Sequence, residues 1–99
     1  MTLVRPQAPA RPPLPRAERR LAAALRTGDR RALQTVHERY GPAVFGYLVH
    51  TLRDRSEAED VFQRVMTEAW QRADRYDPAR GSLLTWLLTI ARLDAQEAW

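Results

Sequence analysis

The chain contains no cysteine among its 99 residues. This absence excludes disulfide bonds and thiolate metal sites, and it fits a protein of the reducing cytoplasm. Long apolar runs are also missing, since the longest, residues 83–91, is interrupted by Thr85 and Thr89. A membrane-spanning helix needs about 20 apolar residues, and a secretory signal needs an apolar segment near the N-terminus. We therefore expect a cytoplasmic domain that is not inserted in a membrane.

Lysine is absent too, so arginine supplies all of the positive side-chain charge, and its distribution is uneven. Residues 1–31 contain eight arginines against two acidic residues, whereas residues 32–99 contain eight arginines against ten acidic residues. The net charge of +4 therefore originates in the N-terminal segment. Because affinity for nucleic acid depends on positive charge facing the phosphates, the rest of the chain lacks a general phosphate-binding surface.

Patterns that carry catalytic chemistry are missing as well. The sequence has no glycine-rich phosphate loop, no nucleophile with a base at a usable spacing and no isolated carboxylate pair. His37 and His50 have no acidic residues at metal-ligand spacing, so we interpret them as ordinary helix residues. These features predict a protein that is not an enzyme and that needs no metal or cofactor.

Two parts of the chain differ in composition. Residues 1–15 hold five of the seven prolines, which is typical of a disordered arm with a polyproline bias. This arm is either a solvated tail or a basic segment that helps to hold a partner. From residue 16 onward, apolar residues recur at steps of three and four, which predicts helices and no strands. The expected fold over residues 16–99 is an all-α bundle of three to four helices.

Turn and capping residues predict where these helices begin and end. A glycine stop and three side-chain caps are expected at Gly28, Asp29, Ser56 and Ser82. Ser56 is chosen because Glu59 follows three residues later, as in a capping box. Gly41-Pro42 falls inside the second helical pattern and predicts a kink or a short break there.

Four motifs in the C-terminal part of the chain form a recognisable pattern. Between residues 57 and 92 the sequence reads, in this order, EAEDVFQ, EAW, YDPARGS and WLLTIAR. This segment resembles region 2 of bacterial sigma-70-type factors, and it is most similar to the extracytoplasmic-function (ECF) group, over about residues 29–92. The resemblance implies a transcription initiation factor domain that docks on core RNA polymerase and recognises and melts the promoter −10 element.

The resemblance also implies two sites. The helix that contains EDVFQ would dock on the clamp helices of the polymerase β′ subunit, through Glu59, Asp60, Gln63 and Arg64. The turn YDPARGS would hold a base of the −10 non-template strand that has turned out of its stack. The positions expected to contact this DNA are Asp77, Pro78, Ala79, Arg80, Gly81 and Ser82. Trp86 is either a further base contact or a core residue.

Three departures from the family pattern leave other functions open. Arg64 stands where the family usually has an acidic residue, which we expect to weaken docking. Leu93 replaces an asparagine, while Asp94 and Glu97 add negative charge where phosphates are expected to lie. Nothing in the sequence corresponds to region 4, the family's reader of the −35 element. The alternatives are a sigma-like decoy that binds an anti-sigma factor instead of promoter DNA, and a truncated remnant. An anti-sigma factor is also an expected partner of a working sigma factor of this group.

Overall fold

The structure, a computed structural model, describes residues 14–98 of the chain. Within that range four α-helices and one short 3-10 turn follow one another without any strand. The helices are α1 (Arg16–Arg26), α2 (Arg30–Leu52), α3 (Arg55–Gln71) and α4 (Leu83–Glu97), and the 3-10 turn is Ala73–Arg75. The predicted all-α bundle is confirmed. The arm expected at residues 1–15 lies outside the described residues, apart from Leu14 and Pro15.

The connection between α1 and α2 forms as its sequence predicts. Gly28 has a φ of 81°, a left-handed conformation that glycine adopts without a steric penalty and that ends α1. Asp29 then caps α2, since its carboxylate accepts a hydrogen bond of 2.9 Å from the backbone N–H of Arg31. The tight turn places α1 against the first half of α2.

The start of α3 differs from the prediction. The N-terminal cap is Asp54, whose carboxylate accepts a 3.1 Å hydrogen bond from the backbone N–H of Glu57, so Ser56 already lies inside the helix. Both residues are followed by a glutamate three positions later, and the capping-box pattern therefore fits either one. Arg53 resolves the ambiguity, because it adopts a left-handed φ of 57° that ends α2 directly before Asp54.

Of the kink or short break expected at Gly41-Pro42, the break does not occur, since α2 runs as one helix of 23 residues through Pro42. Proline in a helix interior removes one backbone hydrogen bond, which usually destabilises the helix. Here Gly41, Val44 and Leu48 are buried on the side of α2 that faces the core. Tertiary packing on both sides of the proline therefore keeps the helix continuous.

The core of the bundle surrounds α4, which packs against both α2 and α3. The apolar stripe of α3 is buried from Ala58 to Ala69, and Ala73 of the 3-10 turn continues it. Val36, Val44 and Leu48 contribute the matching side of α2. From α4 the core receives Leu83, Leu87, Ile90, Ala91 and Ala95. Because α4 is covered on two sides, its exposed residues lie on the remaining side: Thr85, Thr89, Arg92, Leu93, Gln96 and Glu97.

We expect Asp54→Ala to destabilise the domain by about 1 kcal/mol, because it removes the cap of α3. Ser56→Ala should change the free energy of unfolding by less than about 0.5 kcal/mol, since that exposed side chain caps nothing. Urea denaturation followed by circular dichroism measures both values. Equal effects of the two substitutions would contradict the assignment of the cap to Asp54.

Candidate functional site

A cleft of about 200 Å³ opens where the loop that follows the 3-10 turn meets the first half of α4. Residues 75–77 and 80–82 line it from the loop side, and Thr85, Trp86 and Thr89 line it from α4. The lining thus combines hydroxyl groups, two guanidinium groups, one carboxylate and two aromatic rings. Such a mixture suits a ligand that has both a flat apolar face and polar edges.

Three hydrogen bonds hold the loop in shape. The carboxylate of Asp77 accepts a 2.9 Å bond from the backbone N–H of Ala79, which stabilises a tight turn. The Tyr76 hydroxyl donates a 2.8 Å bond to the backbone carbonyl of Gly81, across the base of the loop. Ser82 caps α4 as predicted, because its hydroxyl accepts a 3.2 Å bond from the N–H of Thr85.

A contact with α1 fixes the beginning of α4. The carboxylate of Glu18 accepts a 2.9 Å hydrogen bond from the backbone N–H of Leu83, across 65 residues of chain. A negative charge at this position also interacts favourably with the positive end of the α4 dipole. Burial, followed by the nearby charge of Glu18, raises the pKa of the Tyr76 phenol to about 12. Tyr76 is therefore a neutral hydrogen-bond donor at physiological pH.

Trp86 packs against the core and borders the cleft, and the base contact expected of it stays a prediction. Its ring lies 5.3 Å from the ring of Tyr76, centroid to centroid, at an interplanar angle of 47°. The side chain is half-buried and packs against the hydrophobic core, and it also lines the cleft. The aromatic pair therefore joins the core to the wall of the cleft.

The outward face of α3 is polar and exposed, as the sequence predicts. Asp60 and Gln63 are exposed, and neither forms an ion pair or a side-chain hydrogen bond within residues 14–98. The Glu59 carboxylate lies 3.5 Å from the guanidinium group of Arg55, one turn earlier. The Arg64 guanidinium group lies 4.0 Å from the Glu97 carboxylate of α4. Both ion pairs are highly exposed to solvent and contribute little to stability.

An apolar groove of about 320 Å³ borders this face. It lies between α2 and α3, where Phe62 makes edge-to-face contacts with His37 and Phe45 at centroid distances of 5.3 Å and 5.8 Å. The Arg55 guanidinium group sits 5.4 Å from the centre of the Phe45 ring, so it connects the groove to Glu59.

Asp94 does not face phosphates, which corrects the role predicted for it. Only 5% of the residue is exposed, and Oδ2 has no hydrogen-bond partner among the described residues. Burial, the nearby charge of Glu68 and a hydrogen bond with Glu68 raise the pKa of Asp94 to about 6. The neighbouring Glu97 points towards Arg64 on α3. Asp94 and Glu97 lie near the C-terminal end of α4, on the side that packs against α3. The cleft lies at the N-terminal end of α4.

Neither a metal site nor a membrane span is found in the described part of the chain. No group of three or more histidine or acidic side chains among residues 14–98 is arranged to hold a metal ion. None of the described helices combines the length and the apolar character needed to cross a bilayer.

Comparison with known protein families agrees with the family that the four motifs indicate. Residues 36–99 match the family model described as sigma-70 region 2. The chain belongs to the sigma-70 region 2 family. Among solved structures, none matches the chain significantly.

Curated relatives of this sigma-70 region 2 chain come from the ECF group. The ECF RNA polymerase sigma factor RpoE of Cereibacter sphaeroides is 39% identical over 64 residues, which cover 65% of this chain and 35% of the relative. SigK of Mycolicibacterium vanbaalenii is 39% identical over 87 residues, covering 85% of this chain and 43% of the relative. SigK of Mycobacterium tuberculosis is 35% identical over 63 residues, covering 64% and 34%. The chain thus spans less than half the length of these relatives, and the expected similarity to the ECF group is confirmed.

The site residues expected in this sigma-70 region 2 domain fall on two separate surfaces. Of the loop positions, Asp77, Arg80, Gly81 and Ser82 line the cleft, whereas Pro78 and Ala79 belong to the loop but not to the lining. The four α3 positions share one exposed helix face. Sequence analysis missed Glu18, Tyr76, Thr85 and Thr89. No local pattern predicts Glu18, because its partner is distant in the chain, although it is the only acidic residue within a run of arginines.

We expect Asp94→Asn to stabilise the domain at neutral pH. The pKa of Asp94 is raised from 3.8 to about 6, so between these values the native state binds more protons than the unfolded chain. Stability therefore falls as pH rises through this window, and it stays reduced above it. Removing the buried charge should add about 1–3 kcal/mol to the free energy of unfolding near pH 7, and almost nothing near pH 4.

Chemical denaturation at the two pH values measures this difference. Glu97→Gln serves as the control, because it removes a charge from the same end of α4 but at an exposed side chain. It should change stability by less than about 0.5 kcal/mol. An equal gain for Asp94→Asn at both pH values would show that the charge of Asp94 is not the cause.

Proposed function

We propose that this domain acts in transcription initiation, as the part of a sigma factor that docks on core RNA polymerase and binds single-stranded DNA of the promoter −10 element. It has no catalytic role in this process, and it acts in the cytoplasm, where polymerase and promoter meet. The observation that carries the proposal is the cleft beside Trp86. It coincides with the loop YDPARGS, which the family resemblance associates with −10 recognition.

The cleft has the chemistry that an unstacked base requires. Bases that have left the helix are held by aromatic or apolar walls and by hydrogen bonds to their edges. The Tyr76–Trp86 pair provides the wall, the Thr85 hydroxyl provides a donor at the rim, and the hydroxyl oxygens of Ser82 and Thr89, whose protons are donated to Thr85, provide acceptors. A volume of about 200 Å³ is below the range of pockets for drug-sized ligands, which favours a single ring system.

The polymerase site in this proposal is the exposed face of α3. An acidic and amide-bearing helix face pairs with arginines on a partner helix through charge-assisted hydrogen bonds. Asp60 and Gln63 are available for such contacts, whereas Glu59 and Arg64 already have partners within the domain. Asp60 and Gln63 therefore dock without giving up a partner, while Glu59 exchanges only a weak, exposed pair with Arg55.

Binding to DNA is tested with Trp86→Ala. Stacking between a base and an aromatic side chain contributes about 1–3 kcal/mol, so the affinity for a short fluorescein-labelled single strand of randomised sequence should fall roughly tenfold. Fluorescence anisotropy measures the affinity, and circular dichroism confirms that the variant is folded.

Trp70→Ala is the matched control for this test. Trp70 is also half-buried, but it lines a different groove, between α2 and α3. Its removal should leave DNA affinity within about twofold of that of the parent chain, because no base stacks on it. Equal losses for the two tryptophan variants would contradict the assignment of the cleft.

Docking is tested with Asp60→Asn, measured as affinity for core RNA polymerase at about 50 mM and about 200 mM salt. Loss of one interfacial charge should weaken binding roughly fivefold to thirtyfold, and more clearly at the lower salt concentration. Asp74→Asn makes the same chemical change in the 3-10 turn, on a different element, and should have no effect.

A folded chain without measurable affinity for polymerase would contradict the docking proposal. That result would favour the second candidate function, in which the domain occupies an anti-sigma factor as a decoy. The specific observation behind this alternative is Arg64, which carries the opposite charge to the residue usual in the family and pairs with Glu97. Titration with an anti-sigma factor in place of polymerase then distinguishes the two.

A further inference from the structure

The N-terminal half of α1 carries a cluster of arginines that lies outside the family match, which begins at residue 36. Arg16, Arg19 and Arg20 are all exposed. Within residues 14–98, none of the three guanidinium groups forms an ion pair. Exposed arginines without an acidic partner on their own domain are available to an anionic ligand.

The fold brings the first turns of α1 to the start of α4. Glu18 belongs to the same helical turn as the three arginines, and its carboxylate is 2.9 Å from the backbone N–H of Leu83, the first residue of α4. A helix rises about 1.5 Å per residue, so the backbones of Arg16, Arg19 and Arg20 lie within about 3 Å of Glu18 along the axis of α1. The arginine cluster and the cleft therefore share one end of the bundle.

The cleft itself has little net charge with which to hold a phosphate chain. Arg75 and Arg80 lie at the cleft, but Asp77 lies there as well, and Asp74 is next to Arg75. Over residues 32–99 the acidic residues outnumber the arginines by ten to eight, whereas residues 1–31 have eight arginines against two acidic residues. Contacts to phosphate supply much of the affinity for any nucleic acid. A single strand in the cleft gains affinity from positive charge on neighbouring elements, and besides Arg92 of α4 the exposed arginines of α1 carry such charge at this end of the bundle.

We propose that Arg16, Arg19 and Arg20 form a binding site for the backbone phosphates of the single-stranded DNA whose base enters the cleft. This inference rests on the proposed DNA-binding function, and it adds α1 to the DNA-binding surface. Glu18, on the inner side of α1, positions the helix against α4, and the arginines lie on the exposed faces of the same part of α1, where a strand that leaves the cleft and passes over α1 meets them. The guanidinium group suits this role, because it binds phosphate oxygens through two parallel hydrogen bonds.

The test is the triple variant Arg16→Gln, Arg19→Gln and Arg20→Gln, which removes charge but retains side-chain length and helix propensity. The probe is the same randomised, fluorescein-labelled single strand. Each phosphate contact on a single strand contributes about 0.7 to the slope of log affinity against log salt. Loss of three contacts should make that slope shallower by about 2 and reduce affinity at least tenfold near 50 mM salt.

The matched control is Arg26→Gln, Arg30→Gln and Arg31→Gln, which removes the same charge from the other end of α1 and the start of α2. These residues are exposed as well, and Arg26 lies about 12 Å from Glu18 along the axis of α1. The control should keep the parent slope and lose less than about twofold in affinity, because distant exposed charges are screened by salt.

The contrary results refute different parts of the proposal: the α1 phosphate site, the base site in the cleft, or both. Equal losses in the two triple variants would show a general effect of net charge and would refute the local site on α1. Unchanged binding by the first variant, while Trp86→Ala still weakens binding, would refute the α1 site and leave the proposed function intact. Weaker binding by the first triple variant with no effect of Trp86→Ala would refute the cleft as the base site and retain the α1 phosphate site. Absence of any binding by the folded parent chain would refute both.

Discussion

The burial of α4 is the constraint on which the rest of the structure depends. This helix is apolar over most of its first three turns, and α2 and α3 cover it from two sides. A helix end that is brought to the edge of a core in this way leaves backbone N–H groups that need acceptors. Ser82 supplies one acceptor from the loop, and Glu18 supplies another from α1. The loop and α1 therefore meet where α4 begins, and that meeting point forms one end of the bundle.

The same constraint separates the two proposed surfaces. α3 buries its apolar stripe against α2 and α4, so its polar positions are directed away from the bundle. The cleft opens instead at the beginning of α4, beside the loop. Near its C-terminal end α4 lies against α3, where Asp94 faces Glu68 and Glu97 approaches Arg64. The two ends of α4 thus have different surroundings, although the helix is continuous between them.

The incorrect predictions have specific physical causes. Ser56 and Asp54 carry the same capping pattern, and the choice between them depends on how α2 ends at Arg53. The alternative of a break at Pro42 is excluded because buried neighbours outweigh one missing hydrogen bond. The expectation that Asp94 lies near phosphates comes from the family pattern, in which this part of the last helix faces them. Its actual position depends on the rotation of α4 against α3, which charge pattern alone does not determine.

The sequence by itself determined the helical fold, the caps at Asp29 and Ser82, and the family. These features follow from short-range spacing, since helix periodicity, side-chain caps and motif order are properties of neighbouring residues. Only the tertiary structure decided that Glu18 holds the start of α4, that Tyr76 and Trp86 form one wall, and that Asp94 is buried. Each of these contacts joins residues on different elements. Their formation depends on how the helices pack in three dimensions, and local sequence carries no direct signal for that packing.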